Sequence, residues 1–558
     1  MSLDSYSQAN SINSFNWDVI VVGAGAAGLM ACLELPAYLN VLLLNRNQGR
    51  RSASRWAQGG MAAVVRPEDS LDSHVEDTLR AGAGLCDGDA VRMFVENAPK
   101  GVKRLQQLGM QFDSESGLIS TTLEAAHSHR RVLHVKDRTG RALIDVLVEQ
   151  VDQRRNVFHK RGVRVSQLLV QDQQCCGVQV LDGSSLSWIS SRAVVLATGG
   201  GGHLFANTTN PSQASGEGVS LAWKAGAIVE DLEFFQFHPT ALRIDGAPCF
   251  LLSEALRGEG AVLLDNFGNS PVSHLQGGDL ASRDQISQAL VEGMKKQKVD
   301  SFGLDLSPIA PEKLEFRFPT IINNCRELGI DPISQMIPVA PAAHYWMGGV
   351  ATDLQAATSL SGLYAVGEVA STGLHGANRL ASNSLMECIV FAGTISNIQL
   401  GQALPFSAVK DSSIKEKCDL RLTKNLTSNS LMIAISTLRQ LCWDHAGVIR
   451  SPKAMRNSLS LISKQLSEIS KQPLLEFINS QAFDQHQILS EDSRRDLNLL
   501  LDLQNRQITT SLLLNSCLFR KESRGGHLRT DIQSKLPFWK CHSRQQLGRN
   551  ISTRKVRP

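Results

Sequence analysis

The chain has 558 residues, a formal net charge of +4 and 42% hydrophobic residues. This length is enough for several domains with a substantial core, and the composition excludes collagen-like and disordered proteins. The small net charge indicates no nucleic-acid partner, and no stretch is apolar for the length of a membrane span. The eleven cysteines include no C-x-x-C pair, so no zinc site is expected, and reduced thiols favour a cytoplasmic location.

The two termini differ in character. Residues 1–16 are polar and contain no apolar segment, so we expect a flexible N-terminus and no secretory signal. A plastid transit peptide is the second hypothesis, although it would be richer in arginine. From Lys540 to Pro558 there are six lysines and arginines and no acidic residue. We expect residues 537–558 to form a solvated basic tail, and a nucleic-acid arm is the less favoured alternative.

The first structural signal is the stretch WDVIVVGAGAAGLMACLELPAYLNVLLLNRN, residues 17–47. It combines a strand pattern, glycines spaced as G-x-G-x-x-G, a helix pattern and a second strand pattern. Together these predict a βαβ unit that binds a dinucleotide. Backbone N–H groups at the start of such a helix bind a pyrophosphate. The expected phosphate-binding residues are Gly23, Ala24, Gly25, Ala26, Ala27 and Gly28.

The end of the second strand departs from the usual NAD pattern. An acid after this strand normally accepts the ribose hydroxyls, but this chain has Asn45 and Arg46 there, which argues against a plain NAD site. Two later strands, in residues 192–202 and 362–371, also end in glycines. Glycine at the carboxyl ends of parallel strands lets the backbone approach a ligand closely. The three strands therefore predict one Rossmann-like nucleotide domain.

The predicted fold is α/β with two additions to that domain. Residues 240–343 contain short helices and turn sequences, so we expect an inserted α+β capping domain that interrupts the nucleotide domain of residues 17–239 and 344–402. Downstream of it, apolar residues recur at helical spacing, and residues 403–536 are expected to form a C-terminal helical bundle. Its last helix is expected to end in the basic residues Arg520, Lys521 and Arg524, with Gly525 as a stop signal.

Longer motifs carry a resemblance to a known family. The strings are SRWAQGG, HSHRRVLH, QFHPTAL, LLSEALRGEGA, PAAHYWMGGV and GLHGANRLASNSLMEC. They closely resemble those of the L-aspartate oxidases, which are relatives of the fumarate reductase and succinate dehydrogenase flavoproteins. The resemblance covers residues 17–531. It implies that the nucleotide is FAD and that Asn45 and Arg46 are an expected variant of the family pattern.

The resemblance implies further FAD-binding residues. The loop SRWAQGG would wrap the nucleotide, Glu217 and Glu368 would contact polar groups of the cofactor, and a helix starting at Ser384 and Leu385 would point at the flavin. The family usually has Asp at the position of Glu217. Where the related dehydrogenases often carry a flavin-linking histidine, this chain has Ala53, so non-covalent FAD is expected. The implied set is Arg46, Ala53, Ser54, Ala57, Gln58, Gly59, Gly60, Glu217, Glu368, Ser384 and Leu385.

The resemblance also selects residues that would bind and convert a dicarboxylate. Arg379 is suited to clamp a carboxylate with two hydrogen bonds, and His238 and His344 are each suited to donate one. Ser253 stands where the family usually has Thr and keeps the hydroxyl. Arg283 matches the position proposed as proton shuttle in the superfamily, although an arginine serves more easily as an acid than as a base.

Glu124, in TTLEAAHSHRR, is the residue that distinguishes between related activities. A carboxylate near the flavin would recognise the ammonium group of an amino acid and repel a second dicarboxylate. The dehydrogenase branch lacks an acid at this place. His127, His129 and His134 have no accompanying acid or cysteine set, so structural roles are favoured over a metal site. His238 alone would equally suit a buried structural histidine, and only its motif favours catalysis.

The resemblance implies FAD-dependent oxidation of L-aspartate to iminoaspartate, with O2 or fumarate reoxidising the flavin. The family places this reaction first in de novo NAD synthesis, with quinolinate synthase as the downstream enzyme. One alternative is a soluble fumarate reductase or succinate dehydrogenase flavoprotein, against which Glu124 and Ala53 argue. A second alternative is a flavoprotein scaffold without catalysis, which the presence of the whole catalytic set disfavours.

Overall fold

The computed structural model describes residues 15–49, 52–402, 418–423, 426–483 and 486–558. Residues 1–14 of the expected flexible N-terminus lie outside these ranges, as do residues 403–417 at the start of the expected helical domain. Within the described ranges the chain folds into a sheet domain, an inserted domain and a set of C-terminal helices.

The elements follow the chain in four parts. The first part contributes β1 (Trp17–Val22), α1 (Ala26–Glu34), β2 (Val41–Asn45), α2 (Ala53–Trp56), β3 (Met61–Ala62), α3 (Leu71–Ala81), α4 (Gly88–Gln107), β4 (Ser114–Glu115), β5 (Leu118–Ile119), β6 (Thr121–Thr122), β7 (Val132–Leu133), α5 (Thr139–Asp152), β8 (Val157–Arg161), β9 (Val163–Gln171), β10 (Gln174–Asp182), β11 (Ser185–Leu196), α6 (Glu217–Lys224) and β12 (Val229–Glu230). The second contributes β13 (Phe235–Leu242), β14 (Phe250–Leu251), α7 (Ala255–Gly258), β15 (Val262–Leu264), α8 (Arg283–Gln297), β16 (Phe302–Asp305), α9 (Pro311–Arg317), α10 (Pro319–Glu327) and β17 (Ile337–Trp346). The third contributes β18 (Gly349–Ala351), β19 (Leu363–Ala365), β20 (Ala370–Ser371) and α11 (Asn383–Gly393). The last contributes α12 (Ser428–Ala446), β21 (Ile449–Arg450), α13 (Pro452–Ile469), α14 (Pro473–Ser480), β22 (Gln487–Ile488), α15 (Glu491–Phe519), β23 (Leu528–Arg529), β24 (Cys541–Gln545) and β25 (Ser552–Lys555).

A parallel sheet forms the nucleotide domain. β8, β2, β1, β11 and β19 run parallel to one another in that order. β11 is longer than its neighbours, and its first half pairs antiparallel with β10, which in turn pairs with β9. The predicted strands that end at Val22, Leu196 and Ala365 are direct neighbours. Their carboxyl ends therefore meet at one edge of the sheet, where ligands of such folds bind.

The central strands β1 and β2 of this sheet are apolar on both faces. Val19 and Val21 pack with α1, α4, α5 and α11, whereas Ile20 and Val22 pack with α6 and the C-terminal helices. Successive side chains of a strand point to opposite faces, so a continuous apolar run serves two cores at once. Burying each such side chain contributes about 1.5–3 kcal/mol. The βαβ unit therefore lies at the centre of the molecule.

The inserted domain has its own antiparallel sheet and its own core. Its strand order is β14-β13-β17-β16-β15, and its buried side chains extend from Leu242 to Val339. The expected boundaries at residues 239/240 and 343/344 fall inside β13 and β17, which carry the chain into and out of this domain. Because both strands continue through the boundary, residues of β13 and β17 lie between the two domains.

Asp137 connects the nucleotide domain to the inserted domain. Its carboxylate accepts hydrogen bonds from the backbone N–H groups of Thr320 and Ile321 at 2.7 and 3.1 Å and from the Thr320 hydroxyl at 2.9 Å. Thr320 and Ile321 belong to the first turn of α10, where N–H groups have no partner inside the helix and an acid is stabilising. A side chain of one domain thus caps a helix of the other.

The C-terminal helices follow the predicted pattern except at the end of α15. Met455 and Ile462 are buried on α13, as their spacing predicts. α15 ends at Phe519, so the expected basic residues lie at its C-cap and just beyond it, and Arg520 is fully buried. Arg520 donates hydrogen bonds to Glu233 at 2.6 Å and to Glu522 at 3.0 Å. Within the described ranges, no helix combines the length and the apolar character that crossing a membrane requires.

The expected solvated basic tail is wrong. β24 and β25 form a hairpin, and β24 pairs with β12. Arg544 and Arg554 donate to buried Glu230 at 2.6 and 2.9 Å, and Arg554 also donates to buried Asp87 at 2.7 Å. These partners are separated by several hundred residues in sequence. The segment is basic because it neutralises carboxylates that have been removed from water.

His542 lies among the same carboxylates and gives a test of the hairpin. It is 2.5 Å from Asp231 and 3.2 Å from Asp87. Burial alone would lower the pKa of His542, but the carboxylates outweigh it and raise that pKa from 6.5 to about 10. Because folding raises this pKa, the resulting stabilisation is complete below about pH 6.5 and is lost as the pH rises towards 10.

We expect His542→Gln to lower the unfolding temperature by about 5 °C at pH 6.5, since it leaves buried carboxylates without a cationic partner. The difference from the wild type should shrink as the pH approaches 10. Thermal unfolding of both proteins across this range measures the effect. His274→Gln changes an exposed histidine and serves as the control. A difference that stays constant with pH would contradict the assigned role of His542.

Candidate active site

A cleft lies at the carboxyl edge of the parallel sheet. It contains most of the residues that the sequence predicts for the cofactor: Gly23, Ala24, Gly25, Ala26, Ala27, Arg46, Ala53, Ser54, Ala57, Glu217, Glu368, Ser384 and Leu385. Three other predicted residues line a second, smaller cavity that also contains Glu124: Gln58, Gly59 and Gly60. The one remaining residue of the predicted set, Gly28, lies behind the first turn of the phosphate loop.

The glycines of the phosphate loop have different tasks. Gly23 has a φ of +112°, and a Cβ there would lie 2.2 Å from the carbonyl oxygen of Ala197. A Cβ at Gly28 would lie 1.9 Å from the carbonyl oxygen of Gly23. At Gly25 the nearest atom would be Ser54 Oγ at 3.4 Å. The first two positions therefore require glycine for packing, whereas Gly25 keeps space free in the cleft itself.

The N-terminus of α1 is suited to bind an anion. Its N-cap, Gly25, offers no side chain, and its first turn contains no acidic residue. Ser54 Oγ accepts a hydrogen bond from the N–H of Ala26 at 3.3 Å. The uncapped N–H groups and the positive end of the helix dipole face the cleft, which is the arrangement that binds a pyrophosphate.

Unpaired polar atoms on the cleft walls support a polar ligand. Thr198 Oγ1, Asn210 Oδ1 and Gln213 Oε1 are buried and make no hydrogen bond to any residue that the structure describes. Leaving a buried polar group unpaired costs about 1–3 kcal/mol. The phosphate loop, these acceptors and the two cleft carboxylates fit FAD. Ala53 also lines the cleft.

Glu217 and Arg46 explain the missing acid after β2. Glu217, at the start of α6, accepts from Arg164 at 2.5 Å and from Arg46 at 3.1 Å. Burial would raise the pKa of Glu217, but Arg164 and Arg46 outweigh it and lower that pKa. Asp502 of α15 lies 3.6 Å from Arg46 on the other side. The acid that faces this part of the cleft is therefore supplied by α6, and Arg46 neutralises it.

Glu368 is the second carboxylate in the cleft. It accepts the backbone N–H of Trp346 at 2.9 Å, and a Cβ on Gly200 would lie 2.2 Å from its Oε1. Burial raises the pKa of Glu368 to about 7. Near neutral pH this group therefore exists both as an acceptor and as a donor, which suits the hydroxyl groups of a nucleotide or ribityl chain.

The two predicted arginines meet at a residue that sequence reasoning missed. Arg283 and Arg379 both donate to Gln236 Oε1, at 2.9 and 3.1 Å. Arg379 also donates to Ser384 Oγ at 3.0 Å and lies over the ring of Tyr345 at 4.7 Å. A neutral amide thus holds two like charges side by side. The signal for Gln236 was its place two residues before His238 in the motif QFHPTAL.

His238 and His344 face each other across the same space. Their ring centroids are 5.1 Å apart. The N–H of Thr240 donates to His238 Nδ1 at 3.3 Å, which assigns the ring proton of His238 to Nε2. His344 Nδ1 lies 2.9 Å from the hydroxyl of Thr209. Burial and the nearby arginines keep the pKa of both histidines well below the ordinary range, so they are neutral hydrogen-bonding groups.

Glu254 and Arg257 extend the site, and the sequence did not select them. Arg283 Nε donates to Glu254 Oε2 at 2.5 Å, and Arg257 lies 3.9 Å from Glu254 Oε1. Burial raises the pKa of Glu254, but Arg283 and Arg257 outweigh it and lower that pKa. Arg257 also donates to the backbone oxygen of Asp279. The spacing of three residues between Glu254 and Arg257 was the available sequence signal.

Glu124 and Ser253 line the smaller cavity. Glu124 is only 3% exposed and accepts a hydrogen bond from Ser382 Oγ at 2.6 Å. Burial and the nearby Glu254 raise the pKa of Glu124, whereas Ser382 and two arginines act in the opposite direction. All six predicted catalytic residues therefore lie in one region between the nucleotide and inserted domains.

The three histidines after Glu124 point in different directions. His127 Nε2 lies 2.9 Å from the backbone oxygen of Ala381, His129 is paired with Ser73, and His134 is paired with Asp113. Over the described part of the chain, one group of metal-ligating side chains converges elsewhere: Glu230, Asp231 and His542. Arginines already bind the two carboxylates of that group.

We expect Gly25→Ala and Gly28→Ala to fail in different ways. The methyl group of Gly25→Ala fits the protein but occupies the cleft, so FAD affinity should fall about 10- to 100-fold while the apoprotein keeps its unfolding temperature. The methyl group of Gly28→Ala would clash with the carbonyl oxygen of Gly23. This variant should therefore lower both the FAD affinity and the unfolding temperature of the apoprotein. Titration with FAD, followed by flavin absorbance, measures the affinity of each variant, and thermal unfolding of the apoproteins measures their stability. Wild-type FAD affinity in Gly25→Ala would refute this assignment of the phosphate loop.

Two family models match the chain. Residues 18–385 match the FAD binding domain, and residues 435–556 match the fumarate reductase flavoprotein C-terminal domain. The L-aspartate oxidase of Synechocystis sp. is 45% identical and covers 94% of this chain and 96% of its own length. The L-aspartate oxidase of Pseudomonas aeruginosa is 37% identical, with coverages of 94% and 97%.

Solved structures show the same architecture. A structure of E. coli quinol fumarate reductase is 26% identical, with a TM-score of 0.84 and coverage of 98% of this chain and 97% of that chain. Mycobacterium smegmatis Sdh1 is 25% identical, with a TM-score of 0.79 and coverages of 98% and 95%. The identity and coverage of the relatives show that the chain belongs to the L-aspartate oxidase family of FAD-binding flavoproteins.

Proposed function

We propose that this chain oxidises L-aspartate to iminoaspartate with FAD as hydride acceptor, and that O2 or fumarate reoxidises the flavin. Membership of the family supports the reaction class, and the architecture shared with fumarate reductase supports fumarate as an acceptor. The observation that carries the choice of substrate is the charge of the buried site.

The buried charges match an amino dicarboxylate. Three guanidiniums, of Arg257, Arg283 and Arg379, face two carboxylates, of Glu124 and Glu254, within one interacting group. The group has one excess positive charge when both acids are ionised. L-Aspartate carries one net negative charge, whereas succinate carries two. Desolvated charges must be compensated, so the site is complementary to two carboxylates accompanied by an ammonium group.

The substrate carboxylates have fixed partners. Arg379 is held by Gln236, by Ser384 and by the ring of Tyr345, so its guanidinium is already oriented before a ligand arrives. A pre-oriented guanidinium binds a carboxylate through two parallel hydrogen bonds without losing side-chain freedom on binding. His238 offers its Nε2 proton as a further donor. Because this ring is neutral, it orients a carboxylate without adding a charge.

The chemistry divides between the cofactor and the chain. Bound FAD supplies the acceptor for the hydride from Cα. Glu124 pairs with the substrate ammonium and is placed to take the proton that nitrogen releases when the C=N bond forms. For fumarate, Arg283 delivers a proton to one carbon of the double bond, and the other carbon receives the hydride that the reduced cofactor returns. Glu254 and Arg257 are placed to return a proton to Arg283 afterwards, since Arg283, Glu254 and Arg257 form a continuous chain of contacts.

We place the reaction at the first step of de novo NAD synthesis and propose quinolinate synthase as the enzyme that consumes iminoaspartate. This follows from family membership, and an imine hydrolyses in water unless a second enzyme uses it promptly. A cytoplasmic location is part of the same proposal. The eleven cysteines are all free thiols, as a reducing compartment favours.

Anaerobic addition of L-aspartate is expected to bleach the oxidised flavin spectrum of the purified holoenzyme. D-Aspartate should leave it unchanged, because Arg379, His238 and Glu124 fix three substituents of Cα and so select one enantiomer. Bleaching by succinate alone would instead assign the chain to the dehydrogenase branch. No bleaching by any of the three would leave a flavoprotein scaffold without this catalysis.

We expect Glu124→Gln to raise the KM for L-aspartate about 10- to 100-fold, since a charged hydrogen bond to the ammonium is lost. The KM for fumarate should change little or fall, because the repulsion of a second dicarboxylate is removed. Steady-state kinetics with both substrates measure the contrast. Glu115→Gln, at an exposed acid of the same segment, is the matched control. An unchanged KM for aspartate would refute the ammonium site.

A further inference from the structure

Ser382, the residue immediately before α11, has a backbone conformation that serine seldom adopts. Its φ of 60° and ψ of 4° lie in the left-handed region. This region costs a residue with a Cβ roughly 1 kcal/mol relative to glycine. Strain of this kind is retained at functional sites when the surroundings fix it. The position of the hydroxyl group shows what the serine contributes.

The hydroxyl of Ser382 is directed at Glu124. Ser382 Oγ donates to Glu124 Oε2 at 2.6 Å, and both side chains are buried. A Cβ on Gly59 would lie 3.7 Å from Ser382 Oγ and 3.7 Å from Glu124 Oε1. The hydroxyl, the carboxylate and the glycine loop therefore meet at one point. Among the described residues, Ser382 is the one side chain that donates a hydrogen bond to Glu124.

The backbone around Ser382 is held on both sides. The N–H of Ala62 donates to the carbonyl oxygen of Ser382 at 3.0 Å. His127 Nε2 lies 2.9 Å from the carbonyl oxygen of Ala381, and His74 Nε2 lies 3.1 Å from Asn383 Oδ1. These contacts fix Ala381, Ser382 and Asn383, at the start of α11. The hydroxyl is therefore presented to Glu124 in a constant direction.

We propose that Ser382 is a positioning residue that keeps Glu124 ionised and oriented, and thereby sets the preference for an amino dicarboxylate over a plain dicarboxylate. The proposal rests on the proposed function, in which Glu124 binds the substrate ammonium. Ser382 itself need not touch the substrate, because it acts through the carboxylate that it holds.

The charges around Glu124 show why such a donor is needed. The ionisable groups that act on it include Glu254, Arg257, Arg283 and Arg379, and His134, Lys136, Asp137 and Arg317 line the same cavity. Burial and Glu254 favour the protonated acid, whereas the hydrogen bond from Ser382 favours the carboxylate. A protonated Glu124 no longer attracts an ammonium group and no longer repels a second dicarboxylate. Loss of the hydroxyl should therefore weaken the binding of L-aspartate and, at the same time, reduce the repulsion of a plain dicarboxylate.

The test compares Ser382→Gly and Glu124→Gln singly and together in the flavin-loaded enzyme. Glycine adopts the left-handed conformation without strain, so Ser382→Gly removes the hydroxyl and little else. We expect the KM for L-aspartate to rise about tenfold, far more than that for fumarate. The acidic limb of the aspartate pH profile should move to higher pH. The double variant should match Glu124→Gln alone, because the two residues act as one unit.

Ser382→Ala provides the second variant, since it removes the same hydroxyl and keeps a Cβ. Equal shifts in aspartate selectivity in both variants, with unchanged flavin absorbance, support the proposal. Two results would overturn the proposal. One is that the KM effects of Ser382→Gly and Glu124→Gln add up in the double variant, and the other is that the acidic limb of the aspartate pH profile does not move. A wild-type enzyme that does not oxidise L-aspartate refutes the proposed function itself. An unchanged KM in Glu124→Gln refutes the ammonium site, so each failure is distinguishable.

Discussion

Five buried charges at the junction of two domains determine how the rest of this protein is arranged. Moving a charged group out of water costs several kcal/mol, and pairing offsets that cost only when the geometry is good. The inserted domain supplies Glu254, Arg257 and Arg283, and the nucleotide domain supplies Glu124 and Arg379. Glu254 is already paired with Arg283 and Arg257 within the inserted domain, whereas Glu124 comes under the influence of Glu254 and Arg283 only when the domains are docked. Docking of the domains therefore completes the charged group.

Several structural details follow from that requirement. β13 and β17 run without interruption from one domain into the other, which limits how far the two can separate. Asp137 caps α10 across the boundary and contributes to holding the docked arrangement. Gln236, on β13, keeps two arginines side by side without adding a charge. An acid in place of Gln236 would cancel the excess positive charge on which the proposed recognition of L-aspartate rests.

The sequence was informative where the signal is local. The βαβ unit and the main helices follow from strand and helix periodicity, and the inserted domain follows from its short helices and turn sequences. The motifs selected six candidate catalytic residues that lie in one region of the structure. Gln236 was not found because, although it lies in the same motif as His238, a neutral amide by itself indicates neither a charge nor a proton-transfer role. Arg520 was assigned to a charged helix end and Arg554 to a solvated tail because their partners are distant in sequence: Glu233 is 287 residues from Arg520, and Asp87 is 467 residues from Arg554. Local composition indicates charge, but it does not show what neutralises that charge.

The C-terminal hairpin has a consequence for how the protein is made. Asp87 and Glu230 leave the ribosome long before β24 and β25, which supply the cations that permit their burial. Until then these acids stay hydrated, and β12 lacks its partner β24 and presents an open edge to other chains. Folding of this region therefore waits for β24 and β25. Between synthesis of the nucleotide domain and arrival of the hairpin, the nascent chain carries an unpaired strand edge that favours pairing with other chains.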